Sequence, residues 1–261
     1  MQPDNIFAVS AAVTHEWNGR SEKDTFRYVY VLTHLADVGQ DASTYDPELK
    51  MHFEDRSALG SIYRIDIRRI DLQFSRKLAK ASDFIRRTNY ANNRMEIRRN
   101  IWGVVKSVEN KEKLKERWKP LRKKLSHEYQ GRVVEQSLTK IDERLNLPDK
   151  ILPAVYTYLN YGLLFPHIPP KHSNEWSNKR KILFPEYDEP VEECVTFTSQ
   201  QDNMRRYDVQ WATSPEQKMK LLSGKGYYFV PQDELFPVEA AMEVTFQYDE
   251  VIEWKFELKK Y

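Results

Sequence analysis

Cysteine is almost absent. Cys194 stands alone among 261 residues, so neither an internal disulfide nor a cysteine-based zinc site can form, and its place in the alternating segment 191–199 points to a packed thiol. No apolar run approaches the roughly eighteen residues of a membrane-spanning helix. The opening residues, with Asp4 and the mixed segment Ile6 to Val13, make a poor signal peptide. The expectation is a soluble, cytoplasmic protein with no membrane partner. Gly-x-Ser-x-Gly and the dinucleotide fingerprint are missing, and Gly224-Lys-Gly226 has too few glycines for a phosphate loop, so it reads as a turn. His167 and His172 lie five apart in a proline-rich stretch without nearby partners. No metal and no cofactor are expected. Glu253-Trp-Lys255 and Glu257-Leu-Lys259 each spell the Glu-x-Lys half of a metal-dependent nuclease motif, but a charged strand face yields such triplets freely. Nothing selects Asp208 or Asp249 as the missing acid. Internal repeats and low-complexity tracts are absent too.

What is present is charge in blocks. The formal net charge of +2 hides 5 Lys/Arg against 10 Asp/Glu in residues 1–60, 20 against 7 in 61–124, and 9 against 16 in 181–261. These differences are −5, +13 and −7. Fields act locally, so the middle block is either a surface for a polyanion or one neutralised by its own neighbours.

Apolar periodicity divides the chain. Ile67, Ile70, Phe74, Leu78, Ala81 and Ile85 make a stripe at helical spacing. Ile97, Ile101, Val104, Val105 and Val108 make a second that continues weakly to Leu114 and Trp118, and Leu121, Leu125, Tyr129, Val133 or Val134, Leu138, Ile141 and Leu145 a third, starting at Pro120. A fourth helix runs from Leu147-Pro-Asp-Lys through Ile151, Leu152, Val155 and Leu159 towards Gly162. Tyr63, Ile65 and Ile67 alternate and could equally be a short strand, and 26–35 could be strand or helix. The proline cluster in 165–185 interrupts every period and reads as a connector at a boundary between two parts of the chain. Beyond it the period is two: Met242, Val244, Phe246 and Tyr248, then Ile252, Trp254, Phe256 and Leu258, read as an antiparallel hairpin. The expected fold class is α+β, with a mixed segment at 1–57, a basic helical bundle at 58–165, and a mainly antiparallel acidic β domain at 186–261.

Within the basic block, Leu121-Arg-Lys-Lys-Leu-Ser-His127-Glu-Tyr129 resembles the Arg-x4-6-His signature of HEPN domains, small helical bundles many of which are metal-independent ribonucleases. It departs from the family at Lys123, where Asn, Asp or His commonly follows the arginine. The resemblance implies Arg122 clamping a phosphoryl group and His127 moving protons, the chemistry suited to those side chains. Five residues on an ideal helix turn through about 500°, which leaves the two about 140° apart. A shared site then needs the long arginine to curl, a local irregularity of the helix, or two copies of the helix meeting across a dimer, the last being what the resemblance implies. Arg86, Arg87, Tyr90, Arg94, Arg98, Arg99, Lys123 and Lys124 are the candidates for nucleic-acid contact, because cations interleaved with an aromatic in a donor-rich stretch suit backbone binding. The functional expectation is RNA or nucleotide binding, with endoribonuclease activity if the Arg122/His127 pair works. The alternative is a non-catalytic interaction or assembly subunit whose partner is RNA, an acidic protein or a second copy.

Overall fold

Apolar residues two apart, rather than three and four apart, dominate the folded chain. The computed structural model describes residues 23–34, 43–57, 60–73, 82–158, 161–169, 173–184, 189–232, 234–247 and 251–260. Strands β1 (Lys23–His34), β2 (Ser43–Ser57) and β3 (Gly60–Gln73) come first. Helix α1 (Ser82–Asn89), a 3-10 turn at Tyr90–Asn92, and strands β4 (Met95–Arg99) and β5 (Val105–Val108) follow. Next are helices α2 (Lys111–Glu128), α3 (Arg132–Asn146) and α4 (Pro148–Val155). The chain continues as β6 (Ser177–Ile182), β7 (Val191–Gln201), β8 (Met204–Ala212), β9 (Lys220–Pro231), β10 (Glu239–Gln247) and β11 (Val251–Lys260). These strands form one 11-stranded sheet in the order β5-β4-β3-β2-β1-β11-β10-β9-β8-β7-β6. Two meanders meet at its centre, where β1 pairs antiparallel with β11 from Phe26 opposite Lys260 to His34 opposite Ile252.

The expected helical bundle over 58–165 followed by a separate β domain is thereby corrected to a mainly antiparallel β fold carrying four α-helices among the described residues. The first expected helix begins inside β3. There Tyr63, Ile65 and Ile67 are buried at period two, and Ile70 is buried three residues later. The partner strand explains the change: Glu48 pairs with Arg69 and Leu49 with Ile67, so Arg68 is an extra residue that shifts the phase of β3. A bulge turned a strand into an apparent helical stripe. Phe74, Leu78 and Ala81, expected on the same helix, lie outside the described residues. The second expected helix is the β4–β5 hairpin. The Asn100 side chain accepts from the backbone N–H of Trp102 at 3.1 Å and of Val104 at 2.9 Å, and Gly103 takes φ 83° to close the turn. The third splits into α2 and α3, parted by extended Tyr129 and by Gly131 at φ 120°. Pro120 lies inside α2 rather than in its first turn.

The proline-rich stretch expected as a connector enters the core. Tyr158, Tyr161, Leu163, Leu164, Phe165 and Ile168 are buried, as are Pro166 and Pro169. Irregular backbone can be buried only if its polar groups find partners, and two arginines supply them. Arg180 donates to the carbonyls of Phe165 and Gly162, and Arg99 donates to Ile168 at 3.0 Å, Gly103 at 2.9 Å and Leu235 at 2.7 Å. Proline adds no N–H to satisfy. The sheet curls around this segment: the ring of Tyr63 on β3 packs edge-on against Phe236 of the β9–β10 connection at 4.9 Å, and Phe165 meets Phe236 at 5.8 Å. On β10 and β11 the alternation is regular, with Met242, Val244, Phe246, Ile252, Trp254, Phe256 and Leu258 all buried. The turn between those strands, 248–250, lies outside the described residues.

Candidate nucleic-acid interface

Helix α2 carries eight lysines and arginines among its 18 residues. Leu114, Trp118 and Leu125 are its buried residues and fix the inward direction. At about 100° per residue, Lys119, Lys123 and His127 then lie along the outward ridge, with Lys113 and Lys124 on its flank. All five side chains are exposed. Among the described residues, Lys113, Lys119 and Lys123 have no carboxylate within ion-pair distance, while Lys124 lies 3.8 Å from Glu128. His127 has no hydrogen-bonded partner among the described residues.

Arg122 points elsewhere. Its Nε donates to Asp142 Oδ2 at 2.7 Å and its Nη2 to Glu135 Oε1 at 2.7 Å, both on α3. Trp118 Nε1 holds the other Asp142 oxygen at 2.6 Å, so the three side chains tie α2 to α3. Hydrogen bonds to Asp142 and then Glu135 raise the pKa of Arg122. The guanidinium is spent on the helix pair, and His127 faces away from it on the same helix. Within one chain the structure does not bring them together.

The remaining expected contact residues divide into engaged and available. Arg87 bonds Glu128 and lies 3.6 Å from Asp83, with its guanidinium over the Tyr129 ring. Tyr129 in turn donates to Asp83 at 2.7 Å, so this cluster fastens α1 to the end of α2. Arg98 grips Glu109 through Nε at 3.0 Å and Nη2 at 2.9 Å. Arg99 is buried on its three carbonyls, and burial lowers its pKa to about 10. Tyr90 is half-buried and packs against the core. Arg86 and Arg94 are exposed, with no ion pair among the described residues; Arg94 sits at φ 56°. Because Arg87 joins α1 to Glu128, Arg86 lies at the same end of the helical layer as Lys124 and His127.

Among the described residues, several arginines of the basic block are thus engaged internally, while Lys113, Lys119 and Lys123 of α2 have no carboxylate partner and Lys115 pairs with Glu112 at 2.8 Å. This division follows from the side chains: the planar guanidinium matches carboxylates and carbonyls with fixed geometry, whereas a hydrated ammonium on a flexible stem stays in water. Lys113 and Lys119 were not singled out in the sequence. A helical wheel drawn from the apolar positions of α2 would have found them.

Among the described residues no group of three or more His, Cys, Asp or Glu could hold a metal ion. No helix among them is long and apolar enough to cross a membrane. No protein-family model matches the sequence, and no curated protein matches it. Among solved structures, one titled "Lipid-protein interactions in lipovitellin" is similar over 93% of this chain and 25% of that chain, at 10% identity and a TM-score of 0.46. The chain therefore spans about a quarter of that structure's length.

Proposed function

We propose that this protein is a non-catalytic binding subunit that holds RNA against the outward ridge of α2. The observation that carries the reading is the row Lys113, Lys119, Lys123 and Lys124 on one exposed helix, the first three free of carboxylate partners among the described residues, in a block whose described arginines are largely consumed by internal pairs. Unpaired ammonium groups in a row bind phosphates without reading bases, so binding is sequence-tolerant and driven by counterion release. Arg122 supports the non-catalytic side of the reading, since its donors serve Asp142 and Glu135. A cytoplasmic location goes with it, the compartment in which a lone reduced thiol is ordinary.

The test is binding of a fluorescent single-stranded RNA across a salt series. The expected result is a linear fall of log affinity with log salt. Replacing Lys113, Lys119 and Lys123 by Glu should weaken binding at least tenfold and make the slope shallower by about 0.7 for each phosphate no longer neutralised. His127→Ala should leave binding unchanged and no cleavage should accompany it. RNA cleavage that disappears in both His127→Ala and Arg122→Ala would replace this reading with the HEPN-type ribonuclease. Absence of RNA binding at low salt would sink it and leave an acidic protein partner.

A further inference from the structure

The outer face of β8, β9 and β10 carries a groove unrelated to the basic helix. Its volume is about 510 Å³, and Arg206, Asp208, Gln210, Lys225, Tyr227 and Glu243 surround a floor that includes Gly224, Gly226 and Ala241. The floor exists because of what lies beneath it. A Cβ on Gly224 would come within 2.8 Å of the Trp211 ring, and one on Gly226 would meet the same ring at 2.8 Å and crowd the sulfur of Met242. Trp211 and Met242 are core residues, so the two glycines let β9 sink toward the interior and dish the opposite face. Volumes of this size are typical of small-molecule sites.

The rim identifies the kind of ligand. Arg206 Nε bonds Asp208 Oδ1 at 2.9 Å, and Lys225 Nζ lies 2.7 Å from Glu243 Oε2. Two cations and two anions leave the groove without net charge, so neither a phosphate nor a polyamine is favoured. A zwitterion would have to split both pairs. Among the described residues each pair leaves one carboxylate oxygen and further N–H donors uncommitted, and the Gln210 amide adds one acceptor and two donors. Arg206 is held in place on the aromatic side, with its guanidinium 5.5 Å from the centre of the Tyr227 ring and 5.8 Å from that of Phe229. Tyr227 donates to Glu239 at 2.7 Å, and burial followed by that carboxylate pushes its pKa up to about 12. It therefore stays neutral and offers its oxygen as an acceptor. Alternating donors and acceptors around a small-residue floor, with no net field, suit a ligand that is neutral and bears many hydroxyls.

We infer that this groove binds a neutral carbohydrate, two or three sugar rings long, lying along the β9 floor. The inference stands independently of RNA binding on α2. Maltotriose, cellotriose and chitotriose are titrated into the full chain by calorimetry or by chemical-shift perturbation, at up to about 10 mM, the weak end expected for so open a site. Saturable binding of at least one of them is expected. Gln210→Ala should weaken it about tenfold, and Ala241→Tyr, which fills the floor from the exposed side, should abolish it. Both variants should keep the parental melting temperature and undiminished RNA binding. Failure of all three sugars to saturate, affinity unchanged in Ala241→Tyr, or tighter binding of adenosine monophosphate than of any sugar would each overturn the assignment.

Discussion

Arg180 and Glu193 show what a single buried pair does in this fold. Arg180 Nε bonds Glu193 Oε1 at 2.7 Å, and its other nitrogens serve the carbonyls of Gly162 and Phe165. Tyr158 donates to the second Glu193 oxygen, and the Trp211 indole donates to Tyr158 at 3.2 Å. Burial lowers the Arg180 pKa, yet the Glu193 charge, the hydrogen bonds to Glu193 and the nearby Tyr228 and Tyr158 together more than offset it, and the net shift is upward. The cation therefore keeps its charge inside the core and fixes the buried loop to β6 and β7. Glu193→Ala leaves that cation without a counter-ion and should destabilise the fold by about 3–5 kcal/mol. Tyr158→Phe removes the bond to the charged acceptor and also the acceptor of the Trp211 indole, and should cost about 1.5–3 kcal/mol. Urea denaturation of both variants checks the ranking. Equal, small losses would mean that the pair contributes little.

At the same scale, His167 supplies a pH dependence. Its ring lies edge-on to Tyr156 at 4.6 Å, and burial, with Arg180, Arg99 and Lys106 adding repulsion, pushes its pKa from 6.5 down to about 2. Between these values the unfolded chain holds a proton that the folded chain refuses. Stability from this group is then complete above about pH 6.5 and falls as the pH drops, by at most about 1.4 kcal/mol per unit. His167→Asn, chosen because asparagine tolerates the local φ of 58°, should flatten the stability profile between pH 6.5 and 4. A profile as steep as that of the parent would place the acid sensitivity elsewhere.

Among the elements, glycines at positive φ separate strain from collision. Gly131 between α2 and α3 has φ 120° and nothing within 4 Å of where a Cβ would stand, whereas Gly60 at the start of β3 has φ 124° and its Cβ would collide with the Arg99 carbonyl. Gly131→Ala should cost about 1–2 kcal/mol from backbone strain alone. Gly60→Ala should cost more, since the colliding group is backbone. Thermal melts of both variants decide this, and equal losses would mean that β3 and β4 yield locally. Elements whose signal was local were legible in the sequence: α4, opened by its proline, and the alternating β10 and β11. Others were hidden by a second residue elsewhere. The Arg68 bulge cannot be seen without β2 opposite it, and a buried proline-rich loop looks like a linker until Arg99 and Arg180 are placed on its carbonyls. The candidate interface was legible as charge, but which cations are free depends on where Asp142, Glu135, Glu109 and Glu128 arrive in space.

For the molecule as a whole, the pairing of β1 with β11 decides how it folds. The strands at the centre of the sheet are the most distant in sequence, and the first half of the core is completed by Leu235 and Phe236 from the second half. Neither meander has an edge at the centre that is satisfied without the other, and an unpaired central strand would leave a row of buried N–H and C=O groups. The chain should therefore unfold as one cooperative unit, with amides of β3 and β8 losing hydrogen-exchange protection at the same urea concentration. It should also refold slowly, because its central contacts close the longest loops. The stringent form of the prediction is a chain ending at Gln247, which keeps ten strands and all helices and lacks only β11. Protection should disappear from β3 and β8 alike. If β7 to β10 kept their protection while β2 to β4 lost theirs, the meanders would be separate folding units, and the expected division of the chain into a basic part and an acidic β part would return on dynamic grounds.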